Sequence, residues 1–570
     1  MQNGMIDRKS FRLAFVLTAL TITSLLFLRA LCIQYPVEFS DEAHYALEAK
    51  FLNNPRFAST MPNILYFYVY HPTSWFGVNH LAAAKLFNAI FFGLSMFPLY
   101  GTARCFLSKP GAFIFSVLIV LSPISSYSVY VMPESMYFCV FWILVYVVVA
   151  RMPLKPVPGA IFAGAMLAAL SAIKPDAVVL VATVPVVLLT MYFCKSEEEI
   201  SLNQLAGAML SYFAALVVAR LIINYLVRGD LLVSPFGSYS QQVFTPSMRP
   251  KHTLLSRQLW YSLRGHLSYL AVIFWPGLVF ALWPTETPTR ENRNRSYIPL
   301  LSFSTAAFLI LIAMAAKYTA DVTSDGGPAQ ACRLDGRYYD FAFGLLVLLF
   351  LARTRTSNFM PRRTNLFRFV LIGVALVAGV AAGFAFADYC PNSVDFPEVV
   401  SFSMFRAGLA LVILGSVGSA LGLAFCSTAT ARLVYLGFLG TLALTTSAAV
   451  FVGQILYASS PRDADLAGIA VRNLVPDQID DGIVFAKTQD ARSYRALFQL
   501  YSLSEQKILD QPRLTASDIP PDRKWALLLD PYTLDLPYYA AVRGQGFEFV
   551  ELAPGGITVT GGSNGSSPRP

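Results

Sequence analysis

The chain has 570 residues, 55% of them hydrophobic and only 14% charged, with a mean hydropathy of +0.54. Soluble domains carry roughly 25% charged residues, so this balance excludes an ordinary soluble protein and points to a membrane protein with many spans. The net charge of +9 does not mark a nucleic-acid binder, because the basic residues gather in short loops between apolar runs, where the positive-inside rule expects cytoplasmic connections.

A membrane helix needs about 20 mostly apolar residues, and about thirteen segments qualify. The first, 11–33, follows Arg8, Lys9 and Arg12 and has no small-residue cleavage site, so it is expected as a retained signal anchor with a cytoplasmic N-terminus. An external segment, 34–80, carries Asp41 and Glu42. Runs near 81–101 and 111–131 flank an inner loop with Arg104 and Lys109, and the turn Tyr130-Val-Met-Pro-Glu134 returns outside. A fourth run ends at Arg151. The stretch 157–194 is interrupted by Lys174-Pro175-Asp176, which is best explained as two spans meeting at an outer turn. Further spans fit 202–225, 267–283, 297–316, 337–352, 367–387, 402–425 and 433–457, with a basic external loop at 226–266.

From about 458 the composition changes. Gly482-Ile-Val-Phe485, Trp525-Ala-Leu-Leu-Leu529 and Phe547-Glu-Phe-Val-Glu551 read as buried strands, and 491–500 reads as an amphipathic helix. The expected architecture is therefore mainly α: a polytopic membrane helical bundle over 1–457, then a small extracytoplasmic α/β domain over 458–560 and a disordered tail at 561–570. The seven cysteines are too scattered for a disulfide scaffold or a zinc site. Cys332 and Cys390 both fall outside on this topology and could pair in an oxidising compartment, but two free thiols are the favoured expectation.

The polar residues worth weighing lie on the outer face. Asp41 and Glu42 follow Ser40, so they could simply complement the dipole of a capped helix, or take part in chemistry. Glu134 stands after a proline where a span re-enters the membrane, and Lys174 stands at the outer turn with Asp176 as its nearest salt-bridge candidate. Arg228, Arg249, Lys251, Arg257 and Arg264 make the loop 226–266 basic against the single acid Asp230. That loop suits lipid headgroups in general or the phosphate of a lipid-linked substrate. Asp335-Gly-Arg337-Tyr338-Tyr339 puts another arginine at the outer boundary. No Walker loop, strand-linked glycine fingerprint or inner Asp-x-Asp is present, which argues against a nucleotide-driven cytoplasmic reaction.

Several of these segments, taken in order, resemble the membrane glycosyltransferases of the GT-C fold, and most of all the protein O-mannosyltransferase and lipid A aminoarabinose transferase group. They are Phe39-Ser-Asp-Glu-Ala-His-Tyr-Ala, Met61-Pro-Asn-Ile-Leu-Tyr-Phe67, Ala84-Lys-Leu-Phe-Asn-Ala89, Pro133-Glu134, Ala172-Ile-Lys-Pro175 and Gly336-Arg-Tyr338. Asn63 stands where the family usually has a second proline, and Lys85 where it often has arginine. The resemblance covers 30–195 well, thins through the middle spans and leaves the C-terminal domain without a motif.

The resemblance implies transfer of a sugar from a polyprenyl-phosphate donor to an acceptor hydroxyl of a glycan, lipid or protein, on the extracytoplasmic face and with inversion. Asp41 would be the carboxylate base, with Glu42 or Glu134 assisting. Lys85, Lys174 and Arg337, beside Tyr338, would bind the donor phosphate. His44, Tyr66, Arg249, Lys251 and Arg257 are candidates for contact with substrate. A divalent cation, magnesium or manganese, would involve Asp41 and Glu134, though some relatives need no metal. The expected location is the bacterial inner (plasma) membrane. The rival from another class is a transporter or flippase for a lipid-linked glycan, which predicts charges near the bilayer midplane. Here Arg220 is the main residue of that kind.

Overall fold

Length and apolarity dictate most of the helices seen in the structure, a computed structural model of the protein. It describes residues 8–37, 39–52, 54, 61–194, 200–232, 252–282, 297–326, 333–355, 369–370, 372–374, 376–381, 389, 394–399, 406–425, 428–487, 491–502, 504–511, 513–535 and 538–552. These form two units. One comprises Met1–Cys32 and Ser59–Leu456, the other Ile33–Ala58 and Tyr457–Pro570. The segment 33–58, which the sequence suggests is part of the membrane bundle's external loop, therefore groups with the C-terminal unit.

In chain order the helices are α1 (Arg8–Leu31), α2 (Phe39–Lys50), α3 (Ile64–Tyr70), α4 (His80–Ala103), α5 (Lys109–Val120), α6 (Glu134–Tyr146) and α7 (Pro156–Ile173). They continue with α8 (Thr183–Phe193), α9 (Leu202–Arg228), α10 (His252–Leu282), α11 (Tyr297–Gly326), α12 (Phe343–Arg355), α13 (Arg406–Phe425) and α14 (Thr428–Ala458). All but α2 belong to the first unit, a polytopic membrane bundle. Among the described residues eight segments are long and apolar enough to cross a membrane. A ninth is gained if Lys109–Val120 and Pro123–Val129, bent by 52°, count as one span. The sequence suggests about thirteen. The runs at 267–283, 337–352, 367–387 and 402–425 do not pass that test among the described residues, although α10, α12 and α13 lie over three of them. The helix α10 also starts at His252, so the part 252–266 of the expected loop 226–266 is helical.

Local sequence sets the helix ends. Ser201 and Gln204 form a capping box at the start of α9, and Gly229 closes it with a left-handed φ of 70°. Pro175 lacks the N–H that would continue α7 and disfavours a helical residue before it, so Lys174 is extended at φ −144°, ψ 118°. That break turns Lys174 out of the helix. Residues 175–182 then form a 3-10 turn that leads into α8.

The second unit contains α2, two further helices, α15 (Asp463–Leu474) and α16 (Ala491–Leu500), and seven strands. These are β1 (Gly482–Ala486), β2 (Glu505–Ile508), β3 (Arg513–Thr515), β4 (Trp525–Leu528), β5 (Thr533–Asp535), β6 (Tyr538–Gly544) and β7 (Phe547–Leu552). The main sheet has the order β2-β1-β4-β7-β6, and a small pair joins β3 to β5. The strand β1 lies parallel to β2 and β4, whereas β7 lies antiparallel to β4 and β6. Both faces of β1 and β4 are buried, hence their unbroken apolar runs. Val484, Trp525 and Leu527 face a core with Ala467, Val471 and Leu497, while Ile483, Phe485 and Leu528 face Leu514 and Ile519.

The helix α2 is fastened to this unit by contacts the sequence does not foreshadow. Arg495, buried in an ion pair with Asp465, also donates to the Pro36 carbonyl at 3.0 Å. Lys50 donates to the Tyr501 carbonyl, and the rings of His44 and Tyr494 meet edge to face. The amides of Gln34 and Tyr35 both reach the Ala458 carbonyl at 3.1 Å.

Candidate functional site

The best-formed polar cluster of the membrane bundle gathers at Lys174. The extended backbone imposed by Pro175 lets its ammonium reach Glu134 Oε1 at 3.2 Å and the Arg337 carbonyl at 3.5 Å. The Tyr338 ring centroid lies 4.9 Å away, which adds cation–π attraction. Glu134 is in the first turn of α6, directly after Pro133, and only 7% of its side chain is exposed. Its second oxygen, Oε2, is buried with no hydrogen-bond partner among the described residues. An ammonium has three donors, and two of those on Lys174 are engaged.

A 3-10 turn, Gly336–Tyr338, brings Arg337 to the same place. Its amide donates to the Asp395 carbonyl at 2.7 Å, and its Nε lies 3.7 Å from the Asp395 carboxylate. Arg333 takes both oxygens of Asp395 and lies 3.5 Å from Asp335, which also accepts from Thr319 Oγ1 at 2.7 Å. Burial, then the adjacent Asp395 charge, pushes the Asp335 carboxyl up from the usual carboxylate range; Arg337 and Arg333 oppose this. Glu398 is pushed up as well, by burial first and by Asp340 second. Asp340 accepts from Tyr127 at 2.8 Å and is an electrostatic neighbour of Lys174 and Glu134. Asp176 interacts electrostatically with Lys174, Arg337 and Glu134, but the close ion pair of Lys174 is with Glu134.

Asn63 lies behind Lys174. Its side-chain amide donates to the Ile173 carbonyl at 2.8 Å, so it fixes the residue from which Lys174 projects. A proline there would have no such donor. Lys85 is buried in the second turn of α4, 2% exposed, and Asn88 one turn later donates to the Tyr130 carbonyl and accepts from Tyr70. Tyr66 is wholly buried, with its ring 4.2 Å from that of Tyr70, so it is part of the aromatic packing under the site.

The remaining candidates are placed as follows. Glu42 is fully buried in the second unit and accepts from the Val37 amide at 2.7 Å, which ties the first turn of α2 to the chain before it. Asp41 is partly buried and His44 exposed on the same helix. Arg257 is exposed on α10. Arg249, Lys251, Cys332, Cys390 and the tail 561–570 lie outside the described residues. The structure thus brings together Glu134, Lys174, Arg337 and Tyr338. Reading the sequence assigned Asp335 no role beyond its place in the motif and missed Asp340, Asp395 and Arg333, whose partners lie far along the chain.

The residues around Glu134 do not fit a divalent cation. Lys174 already sits against one carboxylate oxygen, and no group of three His, Cys, Asp or Glu suited to a metal occurs among the described residues.

No family model matches the sequence, and no curated protein matches it. Solved structures do. ArnT from Cupriavidus metallidurans bound to undecaprenyl phosphate superposes with a TM-score of 0.51 at 12% identity, over 98% of this chain and 100% of that one. The apo state of ArnT gives 0.51 at 13% identity, over 95% and 98%. An oligosaccharyltransferase from Archaeoglobus fulgidus scores 0.39 at 11% identity, over 89% of this chain and 69% of that one. The chain has an ArnT-like fold, which is the GT-C fold that the motif order implies.

Proposed function

We propose that the protein is an integral membrane glycosyltransferase that moves a sugar from a polyprenyl-phosphate donor to an acceptor hydroxyl on the extracytoplasmic face, with inversion. The carrying observation is the convergence of Glu134, Lys174 and Arg337 at neighbouring helix ends, in a chain that shares its fold with a protein whose structure holds undecaprenyl phosphate. In the reaction the acceptor oxygen attacks the anomeric carbon and loses its proton to a carboxylate, for which Asp41 is the proposed base. The bond from that carbon to the phosphate oxygen breaks, and polyprenyl phosphate departs. Lys174 and Arg337 lower the cost of the charge that grows on the leaving phosphate. Glu134 holds the Lys174 ammonium in place, so it is a positioning residue. Lys85 is proposed as a further phosphate contact, with Tyr338 as a wall. On this reading the N-terminus is cytoplasmic, the second unit is extracytoplasmic and the membrane is the bacterial inner membrane.

The test is transfer from labelled polyprenyl-phosphate sugars by purified protein in lipid. The Asp41→Asn variant is expected to bind donor lipid and lose transfer, and Lys174→Met to lose donor binding. Full transfer by Asp41→Asn would remove it as the base, and donor binding unchanged in Lys174→Met would remove the phosphate site. An impermeant reagent should label a cysteine placed at 41 from outside; labelling only from inside would overturn the orientation.

A further inference from the structure

Another cation of the membrane bundle, Arg220, is partly buried and takes no part in the cluster at Lys174. Arg220, on α9, faces a cavity of about 390 Å³ between α7, the turn after it and α9. The lining is apolar, with Leu167 and Val217 among its residues, except for Arg220, Ser171 and Asn224. Arg220 Nη1 donates to Ser171 Oγ at 3.3 Å, but its Nε and Nη2 are buried without a hydrogen-bond partner among the described residues. A guanidinium in this setting is costly unless an acceptor meets its remaining donors. Nε and one Nη of arginine form the fork that grips two oxygens of a phosphate.

Position and charge narrow the occupant. Arg220 lies about 12 Å along α9 from Arg228 at 1.5 Å per residue. Its head is level with Ser171, in the last turn of α7, one turn below the Lys174 break. Arg220 thus lies below the Arg228 end of the span, where a headgroup phosphate reaches it only by entering the cavity. The cavity is open at the surface of the bundle, where Val217 is 56% and Leu232 84% exposed. Among the described residues no carboxylate lines it, and Arg228 adds a second positive charge nearby. A ligand with one negative charge, two free phosphate oxygens and apolar chains fits all of these features.

We propose that this cavity binds the phosphate of an anionic phospholipid, with Arg220 holding the phosphodiester and the acyl chains lying along Leu167 and Val217. The site is separate from the one proposed for the donor, and its test does not use transfer. Native mass spectrometry of the full chain in detergent, titrated with phosphatidylglycerol, should show binding that Arg220→Met weakens by about tenfold or more, the loss expected for a charge-assisted pair. Val217→Trp, which fills the mouth and leaves the arginine in place, should weaken it similarly; thermal unfolding checks that both variants fold. Phosphatidylcholine should bind more weakly than phosphatidylglycerol to the unaltered chain. Equal phosphatidylglycerol binding in a folded Arg220→Met or Val217→Trp variant overturns the proposal. So does inorganic phosphate raising the unfolding midpoint as far as the lipid does, or Arg220→Met losing polyprenyl phosphate while it keeps phosphatidylglycerol.

Discussion

Lys174 meets three kinds of partner: a carboxylate, a backbone carbonyl and an aromatic face. Removing the carboxylate takes away the close partner of a buried ammonium and leaves only the more distant Asp176 and Asp340, at a cost of up to roughly 3–5 kcal/mol. Glu134→Gln should therefore lower the thermal midpoint markedly as well as transfer. Replacing both residues, Glu134→Leu with Lys174→Met, should recover most of the midpoint and none of the transfer. If the double variant is as unstable as the single one, the pair is not the source of the loss. Glu134, Lys174 and Arg337 were legible in the sequence because each stands beside a proline or glycine at the end of an apolar run. Asp395 and Asp340 were not. Their partners are far along the chain, Arg333 for the first and Tyr127 for the second, and no local pattern signals such pairings.

Two short breaks in regular structure position the cluster. Pro175→Ala would restore the missing N–H and let α7 run on through Lys174, which would swing the ammonium away from Glu134. Little stability should be lost, since alanine favours helix, whereas transfer should fall by about tenfold or more for a misplacement of this size. Gly336 is the second break. A Cβ there would lie 2.1 Å from the Phe396 ring, so Gly336→Ala must displace either the turn carrying Arg337 or the 394–399 segment. Donor binding is the readout, and an unaffected Kd in both variants would refute this positioning role. The elements themselves were readable from apolar length and strand pattern, down to β1, β4, β7 and α16. The long start of α10 was not, because His252 to His266 is too polar to read as part of a span.

At the scale of the whole molecule, the order of motifs gave the fold, since it is carried along the chain, whereas the make-up of the second unit was hidden. Nothing in 33–58 announces that it packs with residues beyond 457. Arg495 and Asp465 hold that unit from within, at 1% and 0% exposure. Arg495→Met should destabilise it by roughly 3–5 kcal/mol by stranding the Asp465 charge, and should expose 33–58 to limited proteolysis, because the bond to Pro36 goes with it. Resistance of that segment in the variant would show that its other contacts suffice.

Those contacts also bear on how the protein is made. Pro36 and Arg495 are 459 residues apart, and Lys50 and Tyr501 are 451 apart. At about 5–20 residues per second, the ribosome needs roughly 20–90 s between them. During that time α2 exists without its sheet, while the intervening spans insert one after another. The second unit can close only once β7 has been made, so α2, which bears Asp41, waits for its surroundings through the synthesis of every span between them.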